Sequence, residues 1–188
     1  MPTLDPDILN DIDLLVRGGF EDRDRIVEIL TEEMYEPGEL DADVVASAVE
    51  AAVARHALDQ QSWPAVTDCD RLDAVFSSLE GKGLIALQFA GHTQSDGFDD
   101  VSEVYQDHPD RAAVIGYCFY HSQDLERAVR GEGLYLAFGS MDASETSTGG
   151  AQVGALIAAE LRAAGFEVRW NGSVDQRIFV PSIDWKRR

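Results

Sequence analysis

The sequence predicts an α+β protein, with a helical N-terminal extension followed by a mixed-sheet α/β-type domain of about five strands that ends in a hairpin. Two observations predict this class. Apolar residues recur at helical spacing over the first 60 residues, and short apolar runs then alternate with helical stretches. The change falls near the stretch WPAVTD, where Pro64 breaks a helix. We therefore expect an acidic helical region, 1–62, and an α+β domain, 63–188.

Three helices are predicted in the N-terminal region. Gly18-Gly19 separates the first two, and the third begins after Pro37-Gly38, because glycine and proline interrupt helical structure. The apolar residues that mark the three helices are Ile8, Ile12 and Leu15, then Ile26, Ile29 and Leu30, and finally Val45, Val49 and Ala52. Each apolar stripe is narrow, so we expect each helix to depend on packing against a neighbour.

The C-terminal region alternates helices with strands. Five apolar runs predict strands: LIALQF, AVIGYCFY, LYLAF, FEVRW and QRIFV. Asn171-Gly172 lies between the last two runs and favours a hairpin, because both residues tolerate the positive φ angles of a tight turn. Charged residues around this turn are expected to pair across the two strands: Glu167, Arg169, Asp175 and Arg177. The clearest helix covers 149–164 and ends at Gly165.

The charge of the chain narrows the choice of partners. There are 35 acids against 15 Lys and Arg, a formal net charge of -20, and residues 1–60 alone hold sixteen acids and four arginines. Such a field repels phosphates and attracts cations. We therefore expect no direct nucleic-acid partner and no membrane partner, and we expect a basic protein partner. The alternative is that the charge serves only solubility.

The location of the protein is predicted from two absent patterns. No apolar run approaches the ~20 residues that a membrane span needs. The first residues, MPTLDPDILNDIDLL, are acidic and lack the basic-then-apolar layout of a signal peptide. Together these features predict a cytoplasmic protein.

The two cysteines, Cys69 and Cys118, predict buried free thiols. They stand far apart and form no CxxC motif, so they indicate no disulfide framework, and a redox pair is the alternative. A nucleophilic pair of Cys118 with His121 is disfavoured as well. These two positions would point to opposite faces of a strand, since side chains alternate along it.

Two loops that follow predicted strands carry a candidate metal site. Its residues are His92, Asp96, His121 and Asp124, because imidazole and carboxylate ligands suit zinc, iron or manganese. If the strands are parallel neighbours, the two loops lie side by side. The alternative is purely structural: Asp96 caps a helix that begins near Phe98, and Asp124 lies in the favourable first turn of the next helix. The structural interpretation predicts no cofactor, whereas the metal-site interpretation predicts a divalent metal.

A second candidate is an anion-binding loop before the clearest helix. The stretch GSMDASETSTGG places Ser147, Thr148, Gly149 and Gly150 at a helix start, where backbone N–H groups can hold a phosphate. The lysine of a P-loop and the GxGxxG pattern are both absent. The alternative is a surface loop in which Ser147 or Thr148 is the N-cap.

The C-terminal two thirds of the chain resembles a family of uncharacterised bacterial proteins, a domain of unknown function. The resemblance rests on GYCFYHSQDLERAVRGEGLYLAFGS, on LRAAGFEVRWNGSVDQRIFV and on a closing DWKRR, and it covers about 66–188. It implies a shared fold and no activity. Many family members have cysteines in a CCxxCG-like arrangement at the loop corresponding to 91–97, where this chain has His92, Thr93 and Asp96. The resemblance therefore implies that any metal site of the family is altered or lost here.

Three functions follow from these patterns. The first is a non-enzymatic acidic binding or regulatory protein that docks a basic partner, since no specific catalytic pattern is present. The second is a metal-dependent hydrolase or redox protein that uses His92, Asp96 and His121 to activate water. The third is a small-ligand sensor that uses the loop at 139–150.

Overall fold

The computed structural model of the chain describes residues 4–141 and 147–188, and for residues 147 and 148 it describes the backbone alone. The described residues form two compact units. Unit 1 extends to Thr67 and includes Trp185–Arg188, and unit 2 is Asp68–Asp184. The predicted division was at 62/63, with the C-terminal residues in the second part.

Unit 1 is helical, as its apolar spacing predicts. Its elements are α1 (Pro6–Gly18), α2 (Arg23–Glu28), a π-helix (Ile29–Met34) that continues α2, and α3 (Ala42–Gln60). Aspartates begin the three α-helices, because their side chains accept hydrogen bonds from backbone N–H groups that have no partner within the helix: Asp5, Asp22 and Asp41. The core between the helices is apolar and includes the fully buried Ile12, Ile26, Leu30, Val45 and Val49.

The last residues of the chain pack in unit 1. The indole Nε1 of Trp185 donates to the carbonyl oxygen of Gly18 at 3.3 Å. The ring of His56 contacts the backbone oxygen of Arg187 at 3.1 Å, and the guanidinium of Arg187 lies 4.1 Å from the centroid of Phe20. These contacts tie the C-terminus to the helices of this unit.

Unit 2 contains a four-stranded mixed sheet with helices packed on it. The strands are β1 (Leu84–Leu87), β2 (Gly116–Phe119), β3 (Leu134–Ser140) and β4 (Ile178–Val180). The helices are α4 (Asp68–Gly81), α5 (Gln94–Asp107), α6 (Ser122–Val129) and α7 (Ser147–Ala163), with a 3-10 turn at Arg111–Ala113. The strands are ordered β1-β2-β3-β4. The chain is therefore α+β, and no helix in the described ranges is long and apolar enough to cross a membrane.

The predicted terminal hairpin is reduced to a single bridge. Arg169 and Phe179 exchange both backbone hydrogen bonds, at 2.8 and 3.0 Å, and FEVRW forms no further ladder among the described residues. Asn171-Gly172 does not close a two-residue turn. Instead, the indole Nε1 of Trp170 donates to the carbonyl oxygens of Ser173 and Gln176 at 2.9 and 3.1 Å, which holds a wider loop. The described sheet therefore has four strands, and FEVRW, the fourth of the five predicted strands, is not among them.

The direction of the strands brings two loops together at one edge of the sheet. β1 and β2 are parallel, whereas β2 with β3 and β3 with β4 are antiparallel. The carboxyl ends of β1 and β2 therefore meet. Backbone hydrogen bonds from Ala90 to Tyr120 at 2.9 Å and from Ser122 to Gly91 at 3.1 Å join the segments that follow them. The two loops lie side by side, as parallel strands require.

Candidate functional site

The carboxyl edge of β1 and β2 places three charged or polar side chains in contact. His121 directly precedes α6, Asp124 lies in the first turn of that helix, and Arg177 directly precedes β4. β4 runs antiparallel to β3, and Arg177, directly before β4, places its guanidinium over the ring of Tyr135 in β3. Three elements that are distant in sequence thus supply one cluster.

Asp124 is the centre of this cluster. Its Oδ2 accepts a hydrogen bond from Arg177 Nη1 at 2.8 Å and lies 3.0 Å from His121 Nε2. The side chain of Asp124 is 1% exposed and that of His121 6%, while that of Arg177 is 30% exposed. A carboxylate this deeply buried needs such partners, because burial without them costs several kcal/mol of stability, about 3–5.

The contact with Asp124 determines the protonation of His121. A carboxylate only accepts hydrogen bonds, so Nε2 of His121 carries the hydrogen in this contact. Burial lowers the pKa of His121, and the nearby Arg177 lowers it further, against the opposing effect of Asp124. The ring is therefore neutral near pH 7, with Nδ1 as an acceptor. That Nδ1 is buried and has no hydrogen-bond partner within the described part of the chain.

Asp96 and Thr93 form the start of α5 rather than a site with His121. Thr93 is the N-cap, and a reciprocal capping box joins Thr93 N–H to Asp96 Oδ2 at 2.8 Å and Asp96 N–H to Thr93 Oγ1 at 3.4 Å. Hydrogen bonds from Thr93 lower the pKa of Asp96. The predicted helix start near Phe98, with Asp96 as its cap, is corrected: α5 begins at Gln94, and Asp96 is its third residue.

The four predicted metal ligands have different surroundings. His121 and Asp124 are in contact, Asp96 is engaged in the capping box, and His92 is exposed. Within residues 4–141 and 147–188, no group of three His, Cys, Asp or Glu side chains could hold a metal ion. Asp124 Oδ2 is already bound by Arg177. The geometry is that of an ion-pair network, and metal-dependent chemistry stays a prediction.

Nearly the whole chain matches one protein family. A family model described as Domain of unknown function (DUF6891) matches residues 2–188. The chain belongs to the DUF6891 family. The match includes the N-terminal helices, so the extent of 66–188 expected from the resemblance was too short. Comparison with curated proteins and with solved structures gives no match.

The predicted anion loop of the DUF6891 chain is described only in part. Residues 142–146 and the side chains of Ser147 and Thr148 lie outside the described residues. The backbone of 147 begins α7, and Gly149 and Gly150 are buried. A cleft of about 650 Å³ lies beside Gly149, and its described lining contains no charged side chain. The described lining of this cleft therefore contains no positively charged side chain that could bind an anion.

The thiols of the DUF6891 chain are poorly suited to catalysis. Cys69 and Cys118 are both buried thiols that form no disulfide, as predicted. Burial raises the pKa of Cys118 far above its ordinary value. The reactive form of a cysteine is the thiolate, so Cys118 is no nucleophile near neutral pH.

A cleft that the sequence did not predict lies at the same edge of the sheet. It measures about 640 Å³ and adjoins the ion-pair network. Its lining includes three arginines, Arg127, Arg130 and Arg177, together with His121 and Tyr135. One signal was present in the sequence, since Asp124, Arg127 and Arg130 recur at i, i+3 and share a helix face. Arg177 gave no such signal, because 53 residues separate it from Asp124.

Proposed function

We propose that this DUF6891 chain is a non-enzymatic binding protein whose unit 1 docks a basic protein partner. The observation that carries the proposal is the acidic segment, residues 21–43, which contains ten acids and two arginines. Opposite charge attracts a partner over roughly the Debye length of ~8–10 Å at physiological salt. The segment therefore offers a large negative field to a basic surface.

The carboxylates of the acidic segment are largely uncompensated. Its two arginines are engaged: Arg25 pairs with Glu28 and Glu33, and Arg23 pairs with Glu50. Three further acids are exposed and make no ion pair with the described residues: Asp24, Glu32 and Glu36. Because these side chains have no structural role in an ion pair, they are available to cations from a partner.

An apolar side chain lies within this negative surface. Met34 is 50% exposed, and the acids around it in the sequence include Glu32, Glu33 and Glu36. It ends the π-helix Ile29–Met34, a rare geometry that often marks functional positions. Methionine adapts well to varied partners at binding surfaces. A basic amphipathic helix would supply both the cations and the apolar contact.

The state of the candidate catalytic groups supports binding over catalysis. Asp124 is committed to Arg177, and the thiol of Cys118 is buried with a raised pKa. We also propose a bacterial origin, which the resemblance of the C-terminal two thirds implies, and a cytoplasmic setting, because two buried cysteines outside any disulfide suit a reducing compartment. A metal-dependent hydrolase or redox protein would need ligands beyond the contact of His121 with Asp124.

The test is a titration with a defined basic helix. A fluorescein-labelled amphipathic peptide of lysine and leucine is added to the whole protein, and its fluorescence anisotropy is measured at salt concentrations from about 50 to about 300 mM. Over this range the screening of exposed charges increases from weak to strong. We expect binding that weakens with salt, and further weakening in Glu32→Gln/Glu36→Gln and in Met34→Ser. The matched control is Glu103→Gln/Asp107→Asn, which removes two exposed charges from α5 in unit 2.

The control separates a docking site from general attraction. If docking is local to the acidic segment, the double variant in α5 binds the peptide as the unmodified chain does. An equal loss in both double variants, or binding that ignores salt, would refute docking at the acidic segment.

A further inference from the structure

The arginine cleft, lined by Arg127, Arg130, Arg177, His121 and Tyr135, is a basic site in an acidic protein. Its volume of about 640 Å³ is within the range of ~300–1,000 Å³ that small-molecule sites occupy. Two glutamines, Gln94 and Gln123, add amide groups to its wall. The cleft combines cations, hydrogen-bonding groups and one aromatic ring.

Positive charge exceeds negative charge in the lining of the cleft. The carboxylates there are Asp124, bound by Arg177, and Glu126, which contacts Arg130 at 3.3 Å. Arg127 is the least compensated cation of the described lining, because the carboxylate with which it pairs there, Glu132, is 3.8 Å away and half-exposed. At 3.8 Å this contact is an ion pair without a hydrogen bond. The donors of Arg127 are therefore free to bind an anion.

Two of the guanidinium groups lie against one aromatic ring. The guanidinium carbons of Arg177 and Arg127 are 4.9 and 5.5 Å from the centroid of Tyr135. The distance between the two guanidinium carbons cannot exceed the sum of these two distances, which is close to the Debye length of ~10 Å. Salt therefore screens the repulsion between the two cations only in part. An anion held between them would replace this repulsion with two charge-assisted hydrogen-bonding contacts.

The cleft is also rigid where it meets the core. Asp124 is buried and fixes Arg177 through a single nitrogen, Nη1, while the other guanidinium nitrogens of Arg177 make no hydrogen bond to the described residues. Tyr135 is held by stacking on Phe179 at 4.3 Å. A ligand that binds here restricts few further side chains, because the surrounding groups are already ordered, so the entropic cost of binding is low.

We propose that the arginine cleft binds a small molecule that carries a phosphate group. A phosphate dianion matches several guanidinium groups at once, whereas a carboxylate engages one of them. A long polyanion is disfavoured because the net charge of -20 repels it outside the cleft. The site is independent of the acidic segment, since none of its lining residues belongs to unit 1.

Inorganic phosphate is the probe for this site. Isothermal titration of the whole protein with phosphate, and separately with acetate, is carried out at constant ionic strength maintained with chloride. We expect phosphate to bind with a stoichiometry near one and acetate to bind at least tenfold more weakly. Phosphate should also raise the melting temperature over that in chloride alone, because a ligand that binds the folded state stabilises it. Acetate binding as tight as phosphate binding, or no heat with either anion, would overturn the proposal.

Substitution of an exposed arginine locates the site without disturbing the core. Arg127→Gln removes the least compensated cation, and we expect about tenfold weaker phosphate binding, which is the usual effect of one charge-assisted contact. Arg111→Gln is the matched control, because it removes one exposed arginine from unit 2 away from the cleft. Urea unfolding of both variants is measured as well, to check that each of them is folded. Equal loss in both variants would show that phosphate responds only to net charge and would overturn the assignment.

Discussion

The two units use acidic residues in opposite ways. In unit 1 three aspartates cap helices, no described acid is buried, and the core is apolar. In unit 2 one acid, Asp124, is buried and binds both an arginine and a histidine. An exposed ion pair contributes little, about 0–1 kcal/mol, whereas a buried one leaves a costly charge when it is broken. Burial, more than composition, therefore separates acids that stabilise the fold from acids that stay exposed to solvent.

The largest expected effect tests whether unit 1 is held by its apolar core. Leu30 is fully buried in that core, so Leu30→Ala should lower the free energy of unfolding by about 3–4 kcal/mol through lost burial and a cavity. Leu58→Ala is the control, because Leu58 is 64% exposed on α3. Urea unfolding followed by circular dichroism measures both. Similar losses in the two variants would contradict an apolar core around Leu30.

The next effect tests the buried carboxylate of unit 2. Asp124→Asn keeps the shape of the side chain and removes its charge, which leaves the guanidinium of Arg177 without a negative charge to pair with. We expect a loss of about 2–3 kcal/mol in the free energy of unfolding, below the range for a fully buried pair because Arg177 is partly exposed. Asp99→Asn on the exposed face of α5 should change it by less than about 0.5 kcal/mol. The same urea titration decides whether these two aspartates differ.

A smaller effect is expected at the helix caps of unit 1. Asp41 accepts hydrogen bonds from the backbone N–H groups of Asp43 and Val44 at 3.0 and 3.3 Å, so Asp41→Ala should cost about 1 kcal/mol. Asp41→Asn keeps an acceptor and should restore most of the stability. If asparagine is as damaging as alanine, the negative charge of Asp41 matters more than its cap.

The smallest expected effect is a pH dependence that comes from His121. Its pKa is lower in the folded chain than the ordinary value of 6.5, mainly through burial, so the unfolded chain binds the proton more readily. Stability from this residue is present above pH 6.5 and is lost as the pH falls below it. The fall in melting temperature from pH 7.5 to 5.5, a span of about two units around that value, should be smaller in His121→Gln. An unchanged fall would exclude His121 as the source.

Much of the fold could be predicted from apolar spacing. The stripes of unit 1 and the strands β1 to β3 follow from local pattern, because each buries one face or one run of side chains. The neighbouring loops at the sheet edge followed once β1 and β2 were taken as parallel. The start of α5 was misplaced, since Asp96 can act either as a cap or as the third residue of a capping box. Thr93 decides the choice by forming the reciprocal bonds.

The site itself could be predicted only in part. His121 and Asp124 are three positions apart in the sequence, so a helical turn brings them together and the sequence indicates their contact. Arg177 reaches them through the pairing of β3 with β4. The sequence alone predicted instead that Arg177 pairs with a charged residue across the hairpin. The Asn-Gly turn was misleading because the indole of Trp170 holds a wider loop. Local sequence pattern does not predict the order of strands in a sheet, so it does not predict contacts that depend on that order.

The most direct test of this contrast is one labelled sample with two titrants of opposite charge. Backbone amide chemical shifts are measured by NMR as the basic peptide, and separately inorganic phosphate, is added to the whole protein. We predict that the peptide shifts amides of the acidic segment, 21–43, and that phosphate shifts amides near Arg127, Tyr135 and Arg177. Shifts from both titrants at the same residues, or peptide shifts spread over α5 as strongly as over the acidic segment, would contradict two separate sites of opposite charge.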